Sequence, residues 1–371
     1  MKKKQRFGIK EIHSMDEFLK NDYIFANSTI QEIDFSKVNI NWKSLDIDQA
    51  IFLGCTLKNQ DQIDIIESGG IIFPSIKNLC YKPYRSKLYN WQELYKIAKS
   101  GNSVDLDIYN HFSEYKYAPP MKDALLQRIH DHCIDDALND YLGTDKDGSY
   151  NVKSIGIMGG HGTKRTDEYY IKVAKIAQKL TQQGYLIMTG GGPGIMEAAN
   201  LGGYMSNYSE KELDDALTIL QKSNHYTEPL FHETAVEVIE KFPNGKDTLA
   251  IPTWFYGHEP SNLFASHIAK YFSNSIREDT LLALSIHGIL FAPGSAGTTQ
   301  EIFMDAAQNH YTTFTYASPM IFLGKKRYKE ETNIYQTLSD LAKGKTYARL
   351  MRLVDNVDDA VKAFEELKPT K

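Results

Sequence analysis

From about residue 150 onward, short apolar runs alternate with longer amphipathic ones, and this rhythm limits the fold more than any other feature of the chain. "SIGIMGG", "GYLIMTG", "TLAIPTW", "HGILFAPG" and "PMIFLG" each predict a strand. Between the first two, Tyr170, Ala174, Ala177 and Leu180 recur at helical spacing, with Asp167 or Thr166 as the cap and Gly184 at the far end. Pro193 falls near the first position of the next helix. Strands that alternate with helices predict an α/β fold, a Rossmann-like parallel sheet with helices on both faces. Residues 205–247, rich in charge and asparagine, read as an insertion, and "DNVDDAVKAFEELK" as a closing amphipathic helix.

The first 115 residues keep a different beat. Ile30, Phe35, Ile40, Leu45, Ala50 and Cys55 are apolar at intervals of five, with Ile33, Val38 and Leu53 two places before such positions. That period predicts a short pentapeptide-type β-helix, although Lys43 and Asp48 interrupt it; two ordinary strands are the other reading. The expected division is therefore a smaller amino-terminal domain over 1–115 and the Rossmann-like domain over 116–371. "MKDALLQRIHDHCIDDALNDYLG" is a helix leading into the latter. On one helix His130, His132 and Cys133 lack the i, i+4 spacing of a zinc pair, so the histidines are expected to face solvent and no metal is expected.

A length of 371 residues suits two domains. Lys and Arg number 42 against 47 Asp and Glu, and this charge of -5 offers no footprint for nucleic acid or an anionic membrane. Three scattered cysteines imply a reducing compartment. The basic start Met1–Lys4 is not followed by an apolar segment of the kind a secretion signal carries, and no run nears the ~20 residues that span a bilayer. A cytoplasmic location is the expectation.

Three glycine clusters end three of the strands: Gly159, Gly160 and Gly162 around His161; Gly190, Gly191, Gly192 and Gly194 around Pro193; and Gly294 and Gly297 around Ser295 and Ala296. Ligands of open α/β sheets bind at the carboxyl ends of strands, where helix amino termini offer free N–H groups to an anion. Small residues there let a phosphorylated ligand reach the backbone. No stretch supplies GxxxxGK[ST], which argues against a P-loop. The second strand ends in glycines where an NAD domain carries its ribose-binding acid, so a mononucleotide is favoured over a dinucleotide.

"MTGGGPGIMEAAN" and "PGSAGTTQE" together resemble the paired signature GGGxxGxM and PGGxGTxxE of the LOG (LONELY GUY) family. Gly190 to Gly192, Gly194 and Met196 match the first motif; Pro293, Gly294, Gly297, Thr298 and Glu301 match the second, with Ser295 in place of its second glycine. Arg277 stands at the distance of the family's upstream arginine. Glu278 follows it where lysine is usual, and Gln300 precedes Glu301 where many members carry a second glutamate. Over residues 150–330 the resemblance implies hydrolysis of the N-glycosidic bond of a nucleoside 5′-monophosphate, releasing base and ribose 5-phosphate without metal or cofactor. Glu301 and Arg277 would be catalytic. Gly160, Gly191, Gly192, Gly194, Glu197, Gly294, Ser295, Gly297 and Thr298 would hold the substrate. The other reading is a nucleotide sensor that uses the same pocket without turnover. The family usually dimerises, and Leu263, Phe264, His267, Ile268 and Phe272 offer an apolar stripe for a homodimer.

Several of these residues have a second reading. Thr298-x-x-Glu301 is also a capping box. Arg277 is also a surface arginine, and Glu197 an acid that suits any helix start. Trp254, Phe255, Tyr256 and His258 are core or base-stacking groups, and His161 has its place beside a phosphate site. No lysine in the turns suits a pyridoxal phosphate decarboxylase.

Overall fold

The structure, a computed structural model, describes residues 11–21, 24–143 and 152–370. The basic start Met1–Lys4 lies outside the described residues. The chain forms two compact units, Met1–Leu88 with Tyr117–Asn151, and Tyr89–Lys116 with Val152–Lys371. The boundary expected near residue 115 is thus an exchange of segments: Tyr89–Lys116 packs with the second unit, and the long helix Met121–Leu142 with the first.

In the first unit β1 (Glu11–Ile12), β2 (Thr29–Gln31), β3 (Ile51–Leu53) and β4 (Ile71–Phe73) pair in that order, all parallel. Thr29 pairs with Ile51 and Ile51 with Ile71, so successive rungs lie 22 and 20 residues apart. Parallel bridges from Ile24 to Asp46 and from Asp34 to Thr56 continue the winding on either side. This is a solenoid, and the fives belong to it: a rung is about four such steps, with 18 residues from Glu11 to Thr29 and 22 from Thr29 to Ile51 on either side of the even twenty. Ile30, Phe35, Ala50 and Cys55 are buried, and Ile40 and Leu45 pack partly buried against the same core. Where Lys43 and Asp48 break the pattern, Trp42 and Ile47, one place earlier, turn inward at 1% exposure. Lys43 is left outside, bridging Asp64 and Glu67. Phe18, Phe25, Phe35, Trp42 and Phe52 stack or meet edge to face along the core.

On helix Met121–Leu142, His132 is exposed as expected but His130 is not. It is fully buried, with its ring edge-on to Tyr81 and Nδ1 3.2 Å from Asp131 Oδ1. Burial holds it below the usual histidine pKa.

The second unit holds a seven-stranded sheet, with every pair parallel. Its strands are β5 (Ser154–Met158), β6 (Leu186–Thr189), β7 (Leu249–Ala250), β8 (His267–Ile268), β9 (Ile289–Phe291), β10 (Met320–Leu323) and β11 (Met351–Val354). The order is β11-β10-β9-β5-β6-β7-β8. The chain starts at β5, winds outward through β6 to β8, then returns to the other side of β5 with β9. The carboxyl ends of β5 and β9 therefore flank the point where the order reverses, the ligand crevice of such sheets.

The helices follow local chemistry. Asp167 caps Glu168–Gln182 by accepting from the Tyr169 N–H, and Gly184 takes φ +91° beyond it. Gly194, not Pro193, stands at the cap of Ile195–Tyr204. The insertion forms Glu210–Leu220 and Phe231–Lys241. The stripe expected to make a dimer contact is not on a helix: Ile268 belongs to β8, and Leu263, Phe264 and Phe272 are interior. Apolar residues spaced by four there are a strand and its flanks, buried by their own unit. Among the described residues no helix is long and apolar enough to cross a membrane.

Candidate functional site

The three glycine turns lean on one another. The Gly160 N–H donates to Pro293 O (3.0 Å) and Gly160 O accepts from the Ile195 N–H (3.1 Å), which ties the β5 turn to both others. A Cβ on Gly194 would strike Gly160 O and His161 O, and its φ of +69° disfavours side chains as well. A Cβ on Gly294 would strike Thr298 Oγ1. These two glycines serve packing between turns and do not line the cavity. Gly297 is different: a Cβ there would meet open space.

That space is a cavity of about 400 Å³ walled by Gly160, Gly191, Gly192, Ser295, Gly297 and Thr298. It opens onto the start of helix Ala296–Tyr311, whose first N–H groups have no partner within the helix. Ser295 at the cap makes no side-chain hydrogen bond to them. Glu301 consequently stands in the second turn and Thr298 in the first, so the capping-box reading of this pair does not hold.

Arg277 and Glu301 face the same cavity. Arg277, on helix Asn274–Leu284, donates from Nη2 to Asn274 Oδ1 (2.7 Å). Its Nη1 lies 3.6 Å from Glu301 Oε1, and its buried Nε has no partner among the described residues. Burial pushes the Glu301 carboxyl up to about 7; Arg277 opposes the rise and Glu278 adds to it. A carboxyl group balanced near neutrality can hold or accept a proton.

Glu197, expected to touch substrate, lies elsewhere. It is 1% exposed and does not line the cavity. Arg165 grips it with two hydrogen bonds, Nε to Oε2 (2.9 Å) and Nη2 to Oε1 (2.6 Å), and the Tyr170 hydroxyl donates to Oε2 (2.8 Å). The same guanidinium lies 3.6 Å from the Phe231 ring centroid and donates to Thr234 Oγ1 and to the carbonyls of Leu220, Ser223 and Phe231, which clasps the insertion. Glu197 is spent on structure.

The cavity also takes in Glu259, which the sequence did not single out, and residues it named only as departures or alternatives. Glu278 and Gln300, the two departures from the family pattern, meet here: Gln300 Nε2 donates to Glu278 Oε2 at 2.7 Å. Tyr256, 60% exposed, accepts from Asn274 Nδ2 through its hydroxyl (2.9 Å). His161 Nδ1 and Glu259 Oε1 stand 3.9 Å apart, both near half-exposed. The segment carrying Tyr256 and Glu259 is anchored through Asp105. Its buried carboxylate accepts from Trp254 Nε1 (2.8 Å) and Lys270 Nζ (2.9 Å) and lies 3.3 Å from His258 Nε2. Although burial acts against ionisation, Lys270 and the hydrogen-bond donors hold that carboxyl down at about 2. Asp105 comes from the segment that sequence had placed in the other domain.

Residues 152–207 match the SLOG cluster4 family. No curated protein matches the chain. Among solved structures, the Moco carrier protein from Chlamydomonas reinhardtii is similar at 16% identity and a TM-score of 0.37, covering 58% of this chain and 97% of that one. The molybdenum cofactor binding protein from the phototrophic bacterium Rippkaea orientalis is similar at 13% identity and a TM-score of 0.38, covering 58% and 98%.

Proposed function

We propose that this cavity binds a nucleoside 5′-monophosphate and hydrolyses its N-glycosidic bond to free base and ribose 5-phosphate. The observation that carries the reading is the Arg277–Glu301 pair, 3.6 Å apart inside a glycine-walled cavity at a helix start. Glu259, Glu278 and Glu301 share that cavity with a single arginine, so side chains alone would repel a phosphate. Its charge must fall on the free N–H groups and dipole of helix Ala296–Tyr311, which Gly297 leaves open.

With the phosphate there, the ribose lies beside Glu301. As the bond from C1′ to the base nitrogen breaks, its electron pair leaves with the base, which takes up a proton from solvent. The ribosyl cation left behind is stabilised by ionised Glu301, as in glycoside cleavage. Water bonds to C1′ and passes its proton to the same carboxylate. Arg277 keeps Glu301 partly ionised against burial and orients it. Incubation of the full chain with a panel of nucleoside monophosphates, with free base read by chromatography, tests the proposal. Release of base from at least one supports it. Tight binding with no release from any replaces it with a nucleotide sensor.

A further inference from the structure

Glu278 has no task in that chemistry, yet its carboxylate is buried at 5% exposure and lines the cavity. Its Oε2 is occupied by Gln300 Nε2 at 2.7 Å. Its Oε1 is met only loosely, by the Tyr256 hydroxyl at 3.5 Å and Arg277 Nη2 at 3.7 Å. A buried carboxylate oxygen so poorly matched calls for a donor. The hydrogen bond from Gln300 also fixes its amide, whose carbonyl oxygen is a second acceptor beside the first. Tyr256 ends at the same carboxylate, and its exposed ring offers a flat apolar face to a base. This end of the cavity therefore asks for a planar ligand whose edge donates.

We propose that Glu278, held by Gln300, selects the base of the substrate, and that it selects guanine-type purines, which present a ring N1–H beside an exocyclic 2-amino group. The proposal rests on the nucleoside monophosphate reading above. Adenine sets an N1 lone pair against the carboxylate, which is repulsive. Hypoxanthine keeps N1–H but lacks the amino group. The expected order is GMP, then IMP, then AMP. A site built to hydrogen-bond one partner leaves its own buried group unmatched by the wrong one, which is worth about 10- to 100-fold in kcat/KM.

The test uses the full-length chain, wild type and Glu278→Gln, with GMP, IMP and AMP. Base release gives kcat/KM, and calorimetry gives Kd for the same three ligands. The expected result is a GMP-to-AMP ratio of about 10 to 100 in the wild type that falls to within about threefold of unity in Glu278→Gln. A wild type that prefers AMP or does not discriminate overturns the proposal, as does a ratio unchanged by the substitution. If no nucleotide is hydrolysed but the Kd values show the preference and Glu278→Gln removes it, the selection stands and the nucleosidase reading falls. If turnover is present without the preference, the reverse holds. Should Glu278→Gln fail to fold by circular dichroism, Glu278→Asp, which keeps the charge and draws it back by one methylene, must lower the ratio, or the proposal fails.

Discussion

Arg165–Glu197 and Arg277–Glu301 are both arginine–glutamate pairs in the interior of the second unit. In the first, two short hydrogen bonds run in parallel, a tyrosine hydroxyl completes the carboxylate, and backbone carbonyls take the remaining guanidinium donors. In the second, the nearest approach is 3.6 Å, one guanidinium nitrogen has no partner among the described residues, and burial pushes the glutamate carboxyl up to about 7. A satisfied pair fixes structure because every atom already has what it needs. An unsatisfied one stores free energy that a substrate or a transition state can release. The comparison separates scaffold from chemistry with no change of residue type.

The largest expected effect breaks the first pair. Arg165→Met leaves the Glu197 charge buried and unmatched, and should cost about 3–5 kcal/mol of stability in urea unfolding. A loss below about 1 kcal/mol would show that the pair does not hold the insertion.

The corresponding change in the second pair should leave the protein folded and stop its chemistry. Glu301→Gln keeps the shape but removes the charge, and base release should fall by about 10²–10³, roughly 3–4 kcal/mol. In the wild type, kcat/KM should rise as pH climbs through about 7, because the ionised carboxylate is the working form. A flat profile between pH 5.5 and 8.5, or undiminished turnover in the variant, removes Glu301 from the reaction.

The same substitution should also raise stability. A carboxyl lifted from 4.5 to about 7 stabilises the fold fully below pH 4.5, and that contribution is lost as pH rises through 7. Above pH 8, Glu301→Gln escapes this cost, and should melt higher by the equivalent of at most about 3 kcal/mol. No gain at pH 8.5 relative to pH 5 would mean that the carboxylate is not strained in the folded protein.

The smallest effect sharpens the contrast among the glycines. Gly297→Ala places its methyl group in open space at a helix start, so stability should hold or rise by up to ~0.5–1 kcal/mol. Nucleoside monophosphates should nevertheless bind about tenfold more weakly by calorimetry, because the methyl fills the approach to the N–H groups. Gly294→Ala, which drives a Cβ into Thr298, should destabilise instead.

What the sequence disclosed was whatever is local. The period of five, the strand–glycine–helix turns and the Asp167 cap each depend on neighbours in the chain, and each is present. What it concealed depends on partners far apart. Glu197 looked like a ligand-binding acid because nothing near it announces Arg165, 32 residues away. Glu278 and Gln300 looked like separate departures, and only the fold shows that they meet. The segment around β8 imitated a surface helix because apolar residues four apart fit either a helical stripe or a buried strand with its flanks. The Thr298–Glu301 box failed by nearly a whole turn, because the cap is Ser295: spacing shows that a cap is feasible but not where the helix begins.

The solenoid of the first unit makes its length a quantity that evolution or an engineer can adjust in whole steps. Each rung contacts chiefly the rung before and the rung after, so a duplicated turn of about twenty residues would find a ready-made template and extend the stack by one strand spacing, roughly 4.8 Å. Smaller changes are taken up at the corners: 18 residues separate Glu11 from Thr29, 22 separate Thr29 from Ile51 and 20 separate Ile51 from Ile71, yet the strands stay stacked in register. The first unit is therefore a ruler graduated in rungs, whose corners absorb small differences in length between one graduation and the next.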